Sequence, residues 1–495
     1  MRGLGLPLAL LAGAFAGCIG GRGPEGAGPE AAPTADEAAS YQLSCPPGRT
    51  TVRAGVCVGS VRSATQSSQQ PFLALHPRDP DVLALVVNRV DRPGGTLAPQ
   101  DASGAWHVDV LFSEDAGATW RTTTLPRAPV PSAAGFPDSY YYDADVTAVF
   151  DDDGVLHVSG LAAYMDPGGR ASLGVGVLWP FLIAPVAPAV GDEHSGVYSL
   201  STPDLGRTWS AHVVMPRDPY QNNPKIVRAP DGTLYVSWWT SSETDSDRPR
   251  IAWSSDSGAT WRATAAQDEP RDCWSASAVA VHVGEPLVAC AAFDRDDGVS
   301  VDWVRVYAFD TATGLFTVRA DLRGFDEGAW GLRLLSTGGS LVLLTDGHVA
   351  RSADGGRTWS ERISVAALGP AAGAEGSVRA AAADPWGGVH LLVASPDCEG
   401  DLTAVARATG RCPVALSHVA LEASTLRVLD ATLLTARDDP APEESSGGPT
   451  FALSRGDAHD SIAFGPIAGI LAWSRDKGVD LARIQRTPGA PVARP

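Results

Sequence analysis

The chain has 495 residues and a formal net charge of −19, and 53 glycines and 38 prolines punctuate short apolar runs. The length suits one large domain or several ordinary ones, and the turn-rich composition suits strands more than helices. The acidic balance excludes nucleic acid as a partner, because phosphate binding needs a basic surface.

In chain order, the first segment reads as an export signal. Arg2 supplies a positive start, and residues 4–17 form an apolar stretch too short to span a bilayer comfortably. Phe15-Ala16-Gly17-Cys18 resembles a bacterial lipobox, with Phe where Leu is usual. That resemblance implies that Cys18 carries lipid and that the protein is held at a bacterial envelope, touching the membrane only through this anchor. Residues 1–18 are then the signal peptide. Residues 19–40, rich in Gly, Pro and Ala, cannot bury a core and read as a flexible tether. Residues 41–69 form a short cysteine-containing segment. Residues 174–190 are the most apolar stretch further on, but Pro180, Pro185 and Pro188 argue for a loop rather than a membrane helix.

Setting Cys18 aside leaves Cys45, Cys57, Cys273, Cys290, Cys398 and Cys412. An even count in an exported chain suggests disulfides, and pairing between sequence neighbours is the simplest of the fifteen connectivities. No C-x2-C or nearby His pair suggests a zinc site, and neither a metal nor a cofactor is expected.

The loudest signal is an internal repeat, S/T-x-D-x-G-x-T-W. It occurs at 113–120 (Asp115, Gly117, Trp120), 202–209 (Asp204, Gly206, Trp209), 254–261 (Asp256, Gly258, Trp261) and 352–359 (Asp354, Gly356, Trp359). Each copy follows an alternating apolar run such as Val108-Asp109-Val110-Leu111-Phe112. Asp can accept backbone N–H bonds across a turn, Gly can take positive φ, and Thr and Trp resume a strand. Each copy is therefore a hairpin tip, with Trp folding back as an apolar plug and the whole motif structural. Turn-and-strand runs precede or separate the copies, as in Asp231-Gly232-Thr233-Leu234-Tyr235-Val236 and Gly387-Gly388-Val389-His390-Leu391.

The spacing of the box aspartates numbers the units. Asp204 to Asp256 is 52 residues, close to one propeller blade of about 40–50. Asp115 to Asp204 is 89, one blade with an insertion at 164–194. Asp256 to Asp354 is 98, two blades, the first carrying a decayed box at Phe309-Asp310-Thr311-Ala312-Thr313-Gly314. Asp354 to Asp476 is 122, again two blades, with a decayed unit at 404–411 and a degenerate fifth box at Ser474-Arg475-Asp476-Lys477-Gly478. The expectation is an all-β chain forming a single β-propeller over 70–485, with seven four-stranded antiparallel blades (six as the alternative) and a disordered tail at 486–495.

The boxes identify the region as similar to the sialidase-like, Asp-box (bacterial neuraminidase repeat) propeller superfamily. The resemblance implies that the boxes lie between third and fourth strands, on the face opposite the working site. It also implies, for hydrolases of the family, an arginine triad that holds a substrate carboxylate, a Tyr nucleophile tuned by Glu, and an Asp acid/base. The family's first-blade Arg motif is missing, since Gln70-Pro71-Phe72-Leu73-Ala74-Leu75 stands there. Candidates placed early in inner strands are Tyr141, Glu327 and Glu375, with Arg228, Arg333, Arg379 and Arg427 in the inner strands themselves. Asn222-Asn223-Pro224-Lys225 and Asp272-Cys273-Trp274 also fall at the mouth. The acidic runs at 151–154 and 294–298 lack a full calcium loop and read as hairpin turns. The functional expectation is an exported surface propeller that binds a glycan or a protein at its central mouth, with a divergent exo-glycosidase of sialidase type as the alternative.

Overall fold

A computed structural model describes residues 41–44, 51–53, 56–62, 67–90, 106–126, 141–164, 195–216, 221–240, 248–264, 274–292, 303–323, 325, 332–345, 347–368, 377–396, 414–434, 461–464, 468–475 and 478–486. Seven antiparallel sheets follow one another along the chain and make a seven-bladed propeller. Among the described residues, no helix is long and apolar enough to cross a membrane.

Blade 1 contains β4 (Ser67–Leu75), β5 (Leu83–Val90), β6 (Trp106–Ser113) and β7 (Arg121–Thr124). Blade 2 contains β8 (Tyr141–Phe150), β9 (Leu156–Tyr164), β10 (Ser195–Thr202) and β11 (Ser210–Pro216). Blade 3 contains β12 (Gln221–Arg228), β13 (Leu234–Thr240), β14 (Arg248–Ser254) and β15 (Arg262–Ala263). Blade 4 contains β16 (Trp274–His282), β17 (Glu285–Ala292), β18 (Trp303–Asp310) and β19 (Leu315–Arg323). Blade 5 contains β20 (Arg333–Thr337), β21 (Ser340–Leu344), β22 (His348–Ser352) and the two-residue β23 (Ile363–Ser364), which runs into a 3-10 turn at Val365–Ala367. Blade 6 contains β24 (Ser377–Ala383), β25 (Gly388–Pro396), β26 (Val414–Glu422) and β27 (Val428–Leu433).

Blade 7 joins the two ends of the chain. Its inner strands are β28 (Ser461–Phe464), β29 (Ala468–Arg475) and β30 (Gly478–Arg486). The outer edge of β30 pairs with both β1 (Tyr41–Ser44) and β3 (Val56–Arg62), through Tyr41↔Arg486 and Cys57↔Leu481, and β2 (Thr51–Arg53) adds to β3. The segment 41–69, expected to stand apart from the propeller, thus supplies the outer strands of its last blade. The cause is an unpaired edge: β30 would otherwise expose a row of N–H and C=O groups.

Apolar clusters occupy every seam between neighbouring blades. Leu73, Leu83 and Leu111 meet Ile470 and Leu481 across the seam of blades 7 and 1. Phe112 and Val110 meet Phe150 and Leu200 across blades 1 and 2. Equivalent clusters fill the other five seams. Second strands serve two seams at once, so β21 is buried at all five positions, which explains its apolar run Leu341-Val342-Leu343-Leu344.

The four boxes sit between third and fourth strands of blades 1, 2, 3 and 5, as expected. In blade 3 Ser254 Oγ donates to Asp256 Oδ1 at 2.7 Å and accepts from Gly258 N at 2.8 Å. Thr260 donates its N–H to Asp256 Oδ1 at 2.9 Å and its hydroxyl to Oδ2 at 2.6 Å. The same bonds recur in the other boxes. They hold two successive residues at positive φ, such as Leu205 at 56° and Gly206 at 83°. The tryptophan plugs reach further than a local turn. Trp120, Trp209, Trp261 and Trp359 each pack into the seam with the preceding blade. The box glycine is the point of closest approach: a Cβ on Gly206 would lie 2.6 Å from Phe112 Cε2 and 2.7 Å from Thr123 Cγ2, both in blade 1.

The decayed box at Asp310 is a third-to-fourth-strand turn, where Asp310 accepts from Ala312 N and Thr313 Oγ1, both at 2.8 Å. One placement differs from expectation, and one lies outside the described residues. Residues 404–411 lie outside the described residues, within the β25–β26 connection; the corresponding turn of blade 6 is at 423–427, where Thr425 donates to Glu422 and Leu426 takes φ 59°. The fifth box candidate, 474–478, is the tight hairpin between second and third strands β29 and β30, with Arg475 opposite Gly478. The fifth-box reading came from counting acids and glycines without knowing which strands flanked them.

Two outcomes test the wedge. Gly206 and Gly232 both have positive φ, but a Cβ on Gly232 meets nothing within 4 Å. Gly232→Ala should cost about 1 kcal/mol from backbone strain. Gly206→Ala should cost about 3 kcal/mol, since overpacking adds to the strain. Equal shifts in the urea midpoint would remove the seam from the account. The Thr260 hydroxyl and amide hold the Asp256 carboxyl down to about 2 from its ordinary 3.8. A depressed carboxylate stabilises the fold above about pH 4, and that contribution fades as the pH falls toward 2. Asp256→Asn should therefore lower the thermal midpoint at pH 6, with the gap to the parent closing toward pH 2. A gap that stays constant over pH 2–6 would show that the carboxylate charge is not what the box uses.

Candidate functional site

Strand register assigns the two ends of the propeller. In blade 3 Arg228 is opposite Leu234, and Leu234 is opposite Ser254, the first box residue. Blades 1, 2 and 5 repeat this row, with Leu83↔Ser113, Leu156↔Thr202 and Leu341↔Ser352. The inner strands therefore end at the box face and begin at the opposite one. Ser67, Tyr141, Gln221, Trp274, Arg333, Ser377 and Ser461 start the seven inner strands at that mouth.

Five inner strands break register with the second strand near the mouth. The irregularities fall between Gln69 and Phe72, Ala144 and Thr147, Asn222 and Lys225, Trp274 and Ser277, and Val378 and Ala380. Such bulges turn side chains off the pleat and are common beside functional sites. They also explain Pro71 and Pro224 inside inner strands, because a bulged residue owes the ladder no N–H. The inner edge of each blade has no further strand beside it, so side chains must satisfy part of it. Thr147 does so across blades: its hydroxyl donates to Pro224 O at 3.2 Å and accepts from Ile226 N at 3.0 Å, fully buried.

The candidate arginines do not converge. Arg228 ends β12 at the box face and pairs with Asp152 in the first turn of blade 2. Arg427 precedes the outermost strand of blade 6, largely exposed, 3.5 Å from Glu422, and is not in an inner strand. Arg333 starts β20 and is turned sideways, donating to Arg379 O at 2.7 Å and Val378 O at 3.3 Å. Arg379 is itself the bulged residue of β24 and half buried. Only Arg333 and Arg379 are brought together, and there the Arg333 guanidinium bonds backbone. Tyr141 begins β8, although its side chain lies outside the described residues. Glu327 and Glu375 lie outside them altogether, as do Cys18, Cys45, Cys273, Cys398, Cys412 and the acidic run 294–298. Cys290, fully buried in β17, is disulfide-bonded; its partner's side chain and that of Cys57 are outside the described set.

A second repeat, D-x2-G-x2-H, was overlooked in the sequence. Asp151 Oδ1 accepts from Asp153 N and Val155 N, and Oδ2 meets His157 Nε2 at 3.0 Å. Asp384 Oδ1 accepts from Trp386 N and Gly388 N, and Oδ2 meets His390 Nε2 at 3.0 Å. His390 Nδ1 in turn meets His418 Nε2 at 2.9 Å, with the two rings stacked. Burial pushes His157, His390 and His418 below the ordinary histidine range, so these are neutral structural links at the box face. The spacing of six residues from Asp to His, twice after an inner strand, was the available signal. The run at 151–154 is thus a turn that anchors a histidine, and among the described residues no cluster of His, Cys, Asp and Glu could hold a metal.

No family model matches the chain, and no curated protein does. Several solved structures are similar to it at low identity. A Hadza microbial sialidase is 15% identical, with a TM-score of 0.47 over 86% of this chain and 68% of its own. A protein of unknown function from Dyadobacter fermentans is 13% identical, with a TM-score of 0.46 over 89% of this chain and 100% of its own. A Trypanosoma rangeli sialidase with the inhibitor DANA is 12% identical, with a TM-score of 0.40 over 91% of this chain and 58% of its own. No activity and no residue role passes from them to this chain.

Thr147→Val keeps the shape of the clamp and removes both its bonds, leaving Pro224 O and Ile226 N unpaired in the interior. The expected loss is about 2 kcal/mol in chemical denaturation. A loss under about 0.5 kcal/mol would mean that the blades are not held together there.

Proposed function

We propose that the protein is an exported, lipid-anchored recognition propeller that binds a glycan at the mouth opposite its boxes. The observation that carries this reading is the dispersal of the arginines. A hydrolase of sialidase type needs three guanidiniums on one carboxylate, whereas Arg228 lies at the far face, Arg427 lies at the rim, and Arg333 is bonded to backbone carbonyls. Six of the seven inner strands begin instead with hydroxyl, amide or aromatic residues, Ser67, Tyr141, Gln221, Trp274, Ser377 and Ser461, and only β20 begins with an arginine, Arg333. Those types pair sugar hydroxyls and stack on sugar faces. The disulfide at Cys290 supports an oxidising compartment, in keeping with the export signal and Cys18.

Glycan-array binding by protein lacking residues 1–40 should be lost in Tyr141→Ala and Trp274→Ala, and a fluorogenic glycoside panel should show no turnover. Turnover abolished by Arg379→Ala would restore the glycosidase reading, and binding to proteins alone would replace the ligand class. In cells, an alkyne fatty acid should label the full chain and fail to label Cys18→Ala; equal labelling would remove the anchor.

A further inference from the structure

A second candidate binding site lies on the outer rim, away from the mouth. Like β15 of blade 3, the fourth strand of blade 5, β23, has only two residues. The space it leaves open, between β19 of blade 4 and the third strand and box of blade 5, is a cleft of about 340 Å³. Its walls include Arg323, Arg357, Arg362, Glu361, Asp321 and Trp359. The volume is at the small end of ligand sites, enough for one or two sugar rings rather than a protein segment.

Two arginines of this cleft have no acidic partner among the described residues. Arg323 lies over the Trp303 ring at 5.1 Å, and Arg362 lies over the Phe325 ring at 5.4 Å. Neither forms an ion pair among the described residues, although each is exposed. The aromatic faces restrict the two guanidiniums without neutralising them. Arg357 bonds only the box backbone and carboxylate of Asp354, through its Nη1 to Asp354 O at 2.7 Å and its amide to Oδ1 at 3.0 Å. Asp321, the nearest candidate to neutralise the cleft, is already held by Arg305 in a two-point ion pair. Glu361 is the remaining acid among the described lining residues, where three arginines face two acids on a chain whose net charge is −19. Trp359 adds a flat surface whose orientation is fixed, because its Nε1 donates to Gly356 O at 3.0 Å.

We propose that this cleft binds a carboxylated sugar, of the uronic-acid class, with Arg323 and Arg362 on the carboxylate and the ring against Trp359. Guanidinium forks match carboxylates in two-point geometry. One negative charge per ring suits two free arginines beside Glu361 better than a doubly charged phosphate, which Glu361 would repel. The site is independent of the reading given to the mouth.

Titration calorimetry of the full chain in detergent, at low and physiological salt, tests this with trigalacturonate, methyl galacturonate, neutral trigalactose and a short polyglutamate. Trigalacturonate should bind and weaken with salt, and trigalactose should not bind. Arg323→Gln combined with Arg362→Gln should weaken binding at least about tenfold, with an unchanged circular dichroism spectrum and thermal midpoint. Tyr141→Ala should leave it intact. Binding of methyl galacturonate as tight as the trimer assigns the site to a single residue or chain end, and tighter binding of the trimer assigns it to a chain; both support the proposal. Absence of trigalacturonate binding, equal binding of polyglutamate, indifference to the double substitution, or loss of binding in Tyr141→Ala would each overturn it.

Discussion

Everything in this fold depends on the seam between neighbouring blades. A four-stranded sheet with apolar side chains on both faces cannot exist alone in water, and each blade here is such a sheet. The seven seam clusters are therefore the core, divided into seven parts. The boxes act at those seams. Each box ties its own turn with an Asp, a Ser or Thr hydroxyl and a Thr, and then sets Trp against the blade before it. At Gly206 the preceding blade, through Phe112 and Thr123, occupies the place of a Cβ, whereas at Gly258 and Gly356 positive φ is what calls for glycine. The Asp-to-His links add a second tie at the same end: His157 faces Gly258 in the next blade's box, at 3.4 Å from a Cβ built there.

A ring made of seams also has to close, and closure explains the N-terminal strands. Blade 7 takes its inner three strands from the end of the chain and its outer strands from residues 41–62. Leaving β30 unpaired would expose an edge and free the last seam together. The tie between chain ends puts loop-closure entropy into one sheet, whose β29–β30 pairing and Leu471, Ala482 and Ile484 core must carry it. The same logic applies at the centre. Inner strands have no neighbour toward the axis, so Thr147 and Arg333 reach across to the backbone of the following blade.

Much of the fold was legible because the signals it uses are local and repeated. Box spacing gave seven units, and turn-and-strand runs such as those at 231–236 and 387–391 became second strands β13 and β25. What failed was long-range. Nothing near residues 41–62 says that their partner is β30, more than four hundred positions later, since strand pairing leaves no mark on sequence beyond alternation. The blade 6 turn was missed because Glu422 replaces Asp and no Trp follows. Bulges were invisible too, although Pro71 and Pro224 inside apolar runs were a usable hint.

The site was less legible than the fold for a physical reason: an arginine's meaning lies in what already binds it. Arg228, Arg333 and Arg379 look equivalent as members of inner strands. In the structure the first meets Asp152 at the box end, the second serves the edge of blade 6, and the third forms the bulge that presents that edge. Conversely Arg323 and Arg362 sit in an outer strand and a box tail, positions that draw no attention in sequence, yet each lies on an aromatic ring with no acidic partner among the described residues. A chain rich in acids can neutralise most of its arginines within reach. Those left unpaired beside an open cleft are where the protein has charge to offer a ligand, whereas the paired ones, however central, have already used theirs to hold blades together.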